Sequence, residues 1–135
     1  MLHRLDIRVY YEDVDLAGVV YYANYLRFLE RGRSEALRAA GVDQTRLREA
    51  GLVFVVGRLE IDYRRPGRFD DVLSVETAID AVSGATVRMS QRVLRAAETL
   101  AEARVKVALT SLDGRPARLP PALRGALAAQ VPPAH

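Results

Sequence analysis

The feature that most constrains this fold is an alternation of apolar and polar residues that runs through most of the chain after Gly51. A period of two residues is typical of strands with one buried face. Four such strands are predicted, over residues 54–63, 72–82, 85–95 and 100–112. Because strands of ten or more residues exceed the usual length, we expect the sheet to curl. Gly57 interrupts the first alternation and predicts a β-bulge.

The residues before Gly51 predict one more strand and a long helix. Residues 5–11 alternate as a strand does, whereas residues 25–40 carry apolar or small side chains at helical spacing. Asn24 is the expected N-terminal cap of this helix, and Gly41 is its expected C-terminal stop. Small side chains within the helix suit an element that another layer approaches closely.

A short helix over residues 44–50, capped by Asp43, is expected before the four strands. The order of strand, long helix and strands in meander succession indicates an α+β fold, in which an antiparallel sheet of about five strands packs against the helix. A chain of 135 residues should form one domain. We assign this domain to residues 1–119 and expect residues 120–135, which are rich in proline, to form a short helix or a loose tail.

Composition limits the chemistry available to this chain. There is no cysteine, and both histidines, His3 and His135, lie at the chain ends. Thiolate nucleophiles and cysteine-bound metals are therefore excluded, and a Ser-His-Asp triad or an imidazole-bound metal is disfavoured. Any enzyme built from this sequence must use carboxylates, tyrosines, arginines and backbone N–H groups.

The charge distribution and hydropathy also bear on function. Residues 1–113 hold 17 basic and 17 acidic side chains, so the net charge of +3 comes from three arginines in residues 114–135. A nucleic-acid groove needs a concentrated basic stripe with aromatic residues, and nucleic-acid binding is therefore not expected. No apolar run approaches the roughly 20 residues of a membrane helix, and the first residues do not have the pattern of a secretory signal. We expect a soluble cytoplasmic protein without an integral membrane segment.

Candidate catalytic groups lie just before the long helix. Three carboxylates, those of Glu12, Asp13 and Asp15, occur within four residues. A carboxylate here could act as a general base or a nucleophile. Free N–H groups at the helix start could stabilise an oxyanion, and Gly18 would allow a close approach of backbone and substrate. This combination suggests acyl transfer to water, although an ordinary polar loop before a capped helix has the same composition.

A metal site is the competing interpretation of the same segment. Asp13 and Asp15 form an Asp-x-Asp pair that could hold Mg²⁺. The pair lacks the glycine and the further oxygen ligands of a calcium loop, and no distant carboxylate is marked as a third ligand. We therefore expect no metal.

At this point the motifs resemble those of a known family, the hotdog-fold acyl-CoA thioesterases of the 4-hydroxybenzoyl-CoA thioesterase family. The branch that looks closest is the Tol-Pal-associated (YbgC-type) acyl-CoA thioesterases, and the resemblance covers nearly the whole chain. The matching motifs are Val9-Tyr10-Tyr11-Glu12-Asp13-Val14-Asp15, residues 18–25, residues 28–33, residues 63–71 and Gln91-Arg92-Val93. The resemblance implies a long helix wrapped by a curved antiparallel sheet, and subunits that pair through their sheets into dimers and often tetramers.

The resemblance also implies site residues. Asp15 matches the catalytic carboxylate, which acts as nucleophile or as general base toward water, and Tyr11 matches a tyrosine beside it. The N–H of Tyr22 matches the group that polarises the thioester carbonyl. The Tol-Pal branch usually has histidine at Tyr22, whereas the 4-hydroxybenzoyl branch can carry tyrosine, so the acyl pocket is expected to differ. Gly18 and Val19 are the expected substrate-binding residues at the helix start.

The phosphates of CoA would be suitable ligands for arginine side chains. Candidates are Arg64, Arg65, Arg68, Arg88 and Arg92. Each of them could equally be a solvent-facing arginine, and Tyr10, Tyr21 and Tyr25 could be either core or pocket residues.

These observations lead to an expected function: a cofactor-free acyl-CoA thioesterase that forms a homo-oligomer and hydrolyses acyl-CoA to a free acid and CoA. Three alternatives remain open. They are a non-catalytic module that binds acyl-CoA or a partner, an aromatic (4-hydroxybenzoyl-type) CoA thioesterase, and a hotdog hydratase or dehydratase. The last of these usually needs a catalytic histidine, which the interior of this chain lacks.

Overall fold

A computed structural model describes residues 1–133, so His135 and the end of the expected 120–135 segment lie outside the described residues. Residues 1–133 form five strands and three α-helices, with a short 3-10 turn after the first strand. In chain order these are β1 Leu2–Arg8, the 3-10 turn Tyr11–Asp13, α1 Asn24–Ala39, α2 Gln44–Glu49, β2 Leu52–Tyr63, β3 Val72–Val82, β4 Thr86–Arg95, β5 Glu98–Ser111 and α3 Pro121–Ala128. The α+β prediction is confirmed, and all four strands after the long helix lie within two residues of their expected bounds.

The five strands form one antiparallel sheet in the order β1-β3-β4-β5-β2. The strands β3, β4 and β5 follow one another as hairpins, as predicted. The prediction of a meander is wrong for β2, because this strand pairs with β5 and lies at the opposite edge of the sheet from β1. The segment from Arg64 to Asp71 therefore crosses from one side of the sheet to the other before β3 begins.

Helix α1 packs on the concave face of the sheet against β1 and β3. Its core positions include Phe28, Leu29 and Leu37, all buried. Gly32 allows the closest contact, because a Cβ added there would lie 2.6 Å from Val75 Cγ1. The predicted close approach to the small face of α1 is therefore confirmed, and the group that approaches is a side chain of β3.

Local details test the other sequence predictions. The bulge at Gly57 is confirmed by the register shift between Val56 and Arg58. Asp43 caps α2 as predicted, since its carboxylate accepts a hydrogen bond from the amide of Arg46 at 3.1 Å. The last strand begins earlier than expected, at Glu98 rather than residue 100, because the turn before it is confined to Ala96 and Ala97 and Ala96 adopts a φ of 52°.

Two predictions near the start of the chain are wrong. The first strand ends at Arg8 rather than Tyr11, because the amide of Tyr10 bonds to the Asp13 carboxylate at 2.8 Å and the chain turns into the 3-10 segment. Asn24 does not cap α1: the N-cap residue is Ala23. The Asn24 side chain instead donates to the carboxylate of Asp13 at 2.7 Å.

The C-terminal residues pack against the sheet. Leu123 and Leu127 of α3 are buried, together with Leu119 just before the helix. Within residues 1–133, no helix combines the length and the apolar character needed to cross a membrane.

Candidate active site

Asp15 opens a tight reverse turn that connects the 3-10 segment to α1. Its Oδ1 accepts hydrogen bonds from the amide of Ala17 at 2.9 Å and from that of Val19 at 3.4 Å. Gly18 closes the turn with a φ of +78°, and a Cβ added there would meet nothing within 4 Å. The left-handed backbone conformation favours glycine at this position. The expected close approach of substrate to Gly18 stays a prediction.

The carboxylate of Asp15 is fixed in orientation yet open to solvent. The residue is exposed, and its turn is held by the hydrogen bond between its own amide and the carbonyl of Val19 at 2.9 Å. Within residues 1–133, Oδ2 accepts no hydrogen bond. An exposed carboxylate with one oxygen held by amides and the other available can attack a carbonyl carbon or take a proton from water.

Asp13 stabilises the segment between β1 and α1 through buried hydrogen bonds. It is 7% exposed, and its carboxylate accepts hydrogen bonds from the Tyr10 amide and from the Asn24 side chain. Its carbonyl accepts a further bond from the amide of Tyr21 at 2.9 Å. Asp13 thus links the turn before Asp15 to the first turn of α1. Its carboxylate oxygens are occupied, and the described part of the chain contains no group of three acidic or histidine side chains suited to a metal ion.

The start of α1 presents a free backbone donor. Within the described residues the amides of Tyr22 and Ala23 donate no hydrogen bond, as expected for the first turn of a helix. The carbonyl of Tyr22, in contrast, accepts a bond from the hydroxyl of Tyr63 at 2.9 Å. The end of β2 therefore fixes the backbone of Tyr22 and leaves its N–H available to a carbonyl oxygen that develops negative charge.

Tyr63 and its neighbours form an aromatic cluster at this end of α1. The rings of Tyr22 and Tyr63 lie 6.2 Å apart edge to face, and those of Tyr25 and Tyr63 lie 5.4 Å apart. Burial raises the pKa of Tyr63, with further contributions from Tyr22 and Tyr25. Burial also raises the pKa of Tyr25, whose hydroxyl accepts a bond from the amide of Gly67 at 2.8 Å. These hydroxyls therefore stay protonated and serve as fixed hydrogen-bonding groups.

The crossing segment between β2 and β3 forms backbone hydrogen bonds with the Asp15 turn and the residues that follow it. The amide of Val20 bonds to the carbonyl of Gly67 at 2.8 Å, and the amide of Phe69 bonds to the carbonyl of Gly18 at 3.1 Å. Asp71 secures the end of this segment. Although partial burial acts to raise the pKa of Asp71, hydrogen bonds from Arg95 and from the backbone of Arg68 hold it below its usual value.

The other predicted catalytic residue, Tyr11, lies on the 3-10 segment and is 79% exposed. Its ring stacks on that of Phe69, with 4.2 Å between centroids and 18° between planes. Within residues 1–133 its hydroxyl makes no hydrogen bond. The ring of Tyr11 therefore packs against Phe69 of the crossing segment, whose amide bonds to Gly18 of the Asp15 turn.

The predicted arginines fall into different environments. Arg68 lies in the crossing segment, where its backbone pairs with Val19. Three others form ion pairs: Arg64 and Arg65, also of the crossing segment, pair with Glu102 and Glu98 of β5, and Arg92 of β4 pairs with Glu76 of β3. Arg88 and Arg92 lie on β4 among residues that face away from α1. The structure thus brings Arg68 to the Asp15 turn and places Arg88 and Arg92 on the convex face.

An open trough, lined by both apolar and polar residues, lies between α1 and β2. The β5 residues that face α1 are buried, whereas their β2 neighbour Val56 is 50% exposed, and Leu26 of α1 is 40% exposed. The trough ends at a cavity of about 110 Å³ whose lining includes Arg33, Leu37 and Phe54. An elongated apolar group could lie along this trough with its polar end at Tyr22.

The sequence did not indicate the role of Tyr63, and it suggested a different role for Asp13. Tyr63 looked like the last residue of an alternating strand, and its role depends on β2 lying beside the start of α1. Asp13 looked like a catalytic or metal-binding candidate, but the structure makes it a buried hydrogen-bond acceptor. Asp13 lies three residues after Tyr10 and accepts a hydrogen bond from its amide. An aspartate at this spacing is typical of a local turn, so the sequence contained a signal for this role.

Residues 9–127 match the thioesterase-like superfamily. Among curated proteins, the acyl-CoA thioesterase YbgC of Haemophilus influenzae is 50% identical over 107 residues, which is 78% of this chain and 79% of the relative. The acyl-CoA thioester hydrolase YbgC of Escherichia coli is 40% identical over 121 residues, 88% of this chain and 90% of the relative. Among solved structures, a probable thioesterase from Bartonella henselae is 42% identical with a TM-score of 0.84, covering 89% of this chain and 100% of that chain.

Proposed function

The chain belongs to the thioesterase-like superfamily and is an acyl-CoA thioesterase, and we propose that Asp15 and the N–H of Tyr22 carry out the hydrolysis. The substrate is an acyl-CoA, and the products are a free carboxylic acid and CoA. The observation that carries this proposal is the pairing of an exposed, amide-oriented carboxylate with a free N–H at the start of α1, both held by one hydrogen-bonded framework.

The thioester carbonyl is proposed to accept a hydrogen bond from the N–H of Tyr22. Negative charge builds on this oxygen when a nucleophile adds to the carbonyl carbon, so a donor fixed there stabilises the transition state. The hydroxyl of Tyr63 holds the Tyr22 backbone in place, which makes Tyr63 a positioning residue. Gly18 and Val19 border the bound thioester, and Tyr11 flanks it from the 3-10 segment.

Two routes are open to Asp15. As a nucleophile, its carboxylate forms a mixed anhydride with the acyl group and expels CoA as the thiolate, which takes a proton, and water then hydrolyses the anhydride. As a general base, it takes a proton from a water molecule that attacks the thioester directly. Mass spectrometry of the enzyme quenched in a single turnover distinguishes them, because only the first route adds the mass of the acyl group to the protein.

The acyl group is proposed to lie in the trough between α1 and β2, and the phosphates of CoA to contact arginine side chains. Arg68 is the candidate nearest the Asp15 turn. Arg64, Arg65 and Arg92 would have to exchange a carboxylate partner for phosphate, and Arg88 would meet substrate from the convex face. We also propose that the protein is a cytoplasmic homo-oligomer, a dimer or a tetramer, with residues 1–119 as its catalytic domain.

The decisive experiment measures release of free CoA thiol from short, medium, long and aromatic acyl-CoAs. The native protein is compared with Asp15→Asn, which removes the charge with little change in shape, and with Glu12→Gln as a matched control in an exposed neighbour. We expect Asp15→Asn to fold normally and to lose at least 1,000-fold in kcat, as removal of a reacting group typically does. Equal activity in the two variants would refute the role of Asp15.

The same panel separates the alternatives. Turnover confined to aromatic thioesters would indicate the 4-hydroxybenzoyl type of activity. Acyl-CoA binding by the folded native protein without turnover of any substrate would favour the non-catalytic module.

A further inference from the structure

The convex face of the sheet, on the side away from α1, carries two charged rows with opposite character. In the first row Arg4, Glu76, Arg92 and Glu102 are cross-strand neighbours on β1, β3, β4 and β5. Their signs alternate, and Glu76 bonds to Arg4 at 2.7 Å and to Arg92 at 2.6 Å. Opposite charges on adjacent strands stabilise a sheet. Each charge in this row therefore has a neighbour of opposite sign.

The second row does not alternate. Lys106 of β5 lies directly between Arg88 of β4 and Arg58 of β2, so three cations stand side by side on adjacent strands. Like charges in directly opposite positions destabilise a sheet. Arg58 forms an ion pair with Glu60, but within residues 1–133 neither Arg88 nor Lys106 has a carboxylate at ion-pair distance. We call Arg58, Arg88 and Lys106 the basic row.

The basic row lines a hollow of about 500 Å³. Arg104, on the same face of β5, adds a fourth cation, and Ser90 adds a hydroxyl. Both carboxylates in the hollow are already engaged, because Glu60 pairs with Arg58 and Asp80 accepts the hydroxyl of Ser90. The lining holds four cations and two carboxylates, so the hollow keeps a net charge of +2.

We propose that the basic row binds a ligand that carries two or more phosphate groups. Adjacent strands are about 4.8 Å apart, so the three cations span roughly 10 Å, more than a single phosphate group covers. Arginine binds phosphate oxygens in a bidentate manner, and lysine adds a compact charge. A nucleic-acid strand fits less well, because the hollow has no aromatic residue for base stacking.

This site is separate from the proposed catalytic centre. The basic row lies on the face of the sheet opposite to α1, whereas the Asp15 turn leads into the start of α1. The pyrophosphate arm of the test below therefore does not depend on the thioesterase activity, whereas the CoA arm rests on the proposed function, in which Arg88 is a candidate contact for the phosphates of CoA. The phosphates could belong to a free polyphosphate or to the nucleotide end of CoA, and the two sources are separated by the choice of probe.

The binding experiment is a calorimetric titration of pyrophosphate, and separately of CoA, into the native protein in phosphate-free buffer. The test variant is Lys106→Glu, and the matched control is Arg124→Glu, which makes the same change in net charge on an exposed position of α3. We expect Lys106→Glu to weaken pyrophosphate binding at least tenfold and Arg124→Glu to change it less than twofold. If Lys106→Glu weakens the binding of CoA but not that of pyrophosphate, the ligand is the nucleotide end of CoA. Equal behaviour of the two variants with both probes, or no binding of either, would overturn the proposal.

A stability measurement tests the same site without reference to activity. Lys106→Glu makes the signs of the basic row alternate, so we expect it to raise Tm in the absence of ligand. Pyrophosphate should raise the Tm of the native protein and of Arg124→Glu, because a ligand that binds the folded state stabilises it. Pyrophosphate should not change the Tm of Lys106→Glu. A lower Tm for Lys106→Glu without ligand would show that the row is not a site of repulsion and would contradict the proposal.

Discussion

Replacement of one helical glycine by alanine should have opposite effects in α1 and α3. A Cβ at Gly32 would lie 2.6 Å from Val75 Cγ1 and 3.1 Å from both Gln91 Nε2 and Thr77 Oγ1. Carbon atoms in contact are normally about 3.5–4.0 Å apart, so β3 would have to move by about 1 Å. A Cβ at Gly125 would meet nothing within 4 Å. An alanine side chain would therefore clash with its neighbours at position 32 and meet no neighbouring atom at position 125.

The magnitudes follow from two opposing terms. Alanine is better than glycine in a helix by about 0.8–1.0 kcal/mol, and this gain applies in full to Gly125→Ala. At Gly32 it is outweighed by overpacking, which costs about 1–3 kcal/mol, and by disturbance of the buried Gln91 side chain. Gln91 donates hydrogen bonds to Leu29 O and Thr77 Oγ1, each at 2.9 Å, and each bond is worth about 1 kcal/mol. The net expectation for Gly32→Ala is a loss of about 1–3 kcal/mol.

Thermal unfolding followed by circular dichroism measures both variants at one protein concentration. For a chain of this length 1 kcal/mol corresponds to roughly 3–5 °C. Gly32→Ala should therefore lower Tm by about 3–15 °C, whereas Gly125→Ala should raise it by a few degrees. A Tm for Gly32→Ala equal to or above the native value would refute the inferred contact between α1 and β3.

Two further predictions concern the site and the pH dependence of stability. Tyr63→Phe removes the hydroxyl that fixes the Tyr22 carbonyl and should lower kcat about fivefold to tenfold with little change in KM, on the basis of about 1 kcal/mol for one hydrogen bond; an unchanged kcat would contradict its positioning role. The ion pair with Arg4 holds the pKa of buried Glu76 below its usual value. This stabilisation is complete above the unfolded pKa of about 4.3 and is lost as pH falls through the lower folded value. In urea titrations Glu76→Gln should therefore be less stable than native at pH 7, with a gap that narrows toward pH 3.

The fold class could be predicted from the sequence because its strands are long and their alternation is regular. Each period-two segment reports which face of a strand is buried. Glycines mark the end of α1, at Gly41, and the bulge inside β2, at Gly57. Alternation says nothing about which strand lies beside which. The pairing of β2 with β5 depends on residues about 40 to 60 positions apart, such as Leu52 and Ser111, and the sequence predicted a simple meander instead.

The candidate site was predictable to a lesser degree. Asp15 and the helix start are close in the chain, so their juxtaposition follows from local sequence. Tyr63 is 41 residues from Tyr22, and only tertiary structure brings its hydroxyl to that carbonyl. Asn24 shows the converse error. Its type and position favour a cap, but a buried acceptor, Asp13, competes for its side chain and has the stronger, charge-assisted bond.

The strand order has a consequence for how the molecule assembles. The hairpins β3-β4 and β4-β5 join neighbouring segments, whereas β1 pairs with β3 across more than 60 residues and β2 pairs with β5 across about 40 to 60 residues. Contacts distant in sequence carry the larger loop-closure cost and slow folding. The Asp15 turn relies on Gly67 and the Tyr22 backbone on Tyr63, both supplied by the segment that follows β2 or ends it. During refolding, we therefore expect the β3-β4 and β4-β5 hairpins to form before the Asp15 turn and the Tyr22 backbone reach their native positions.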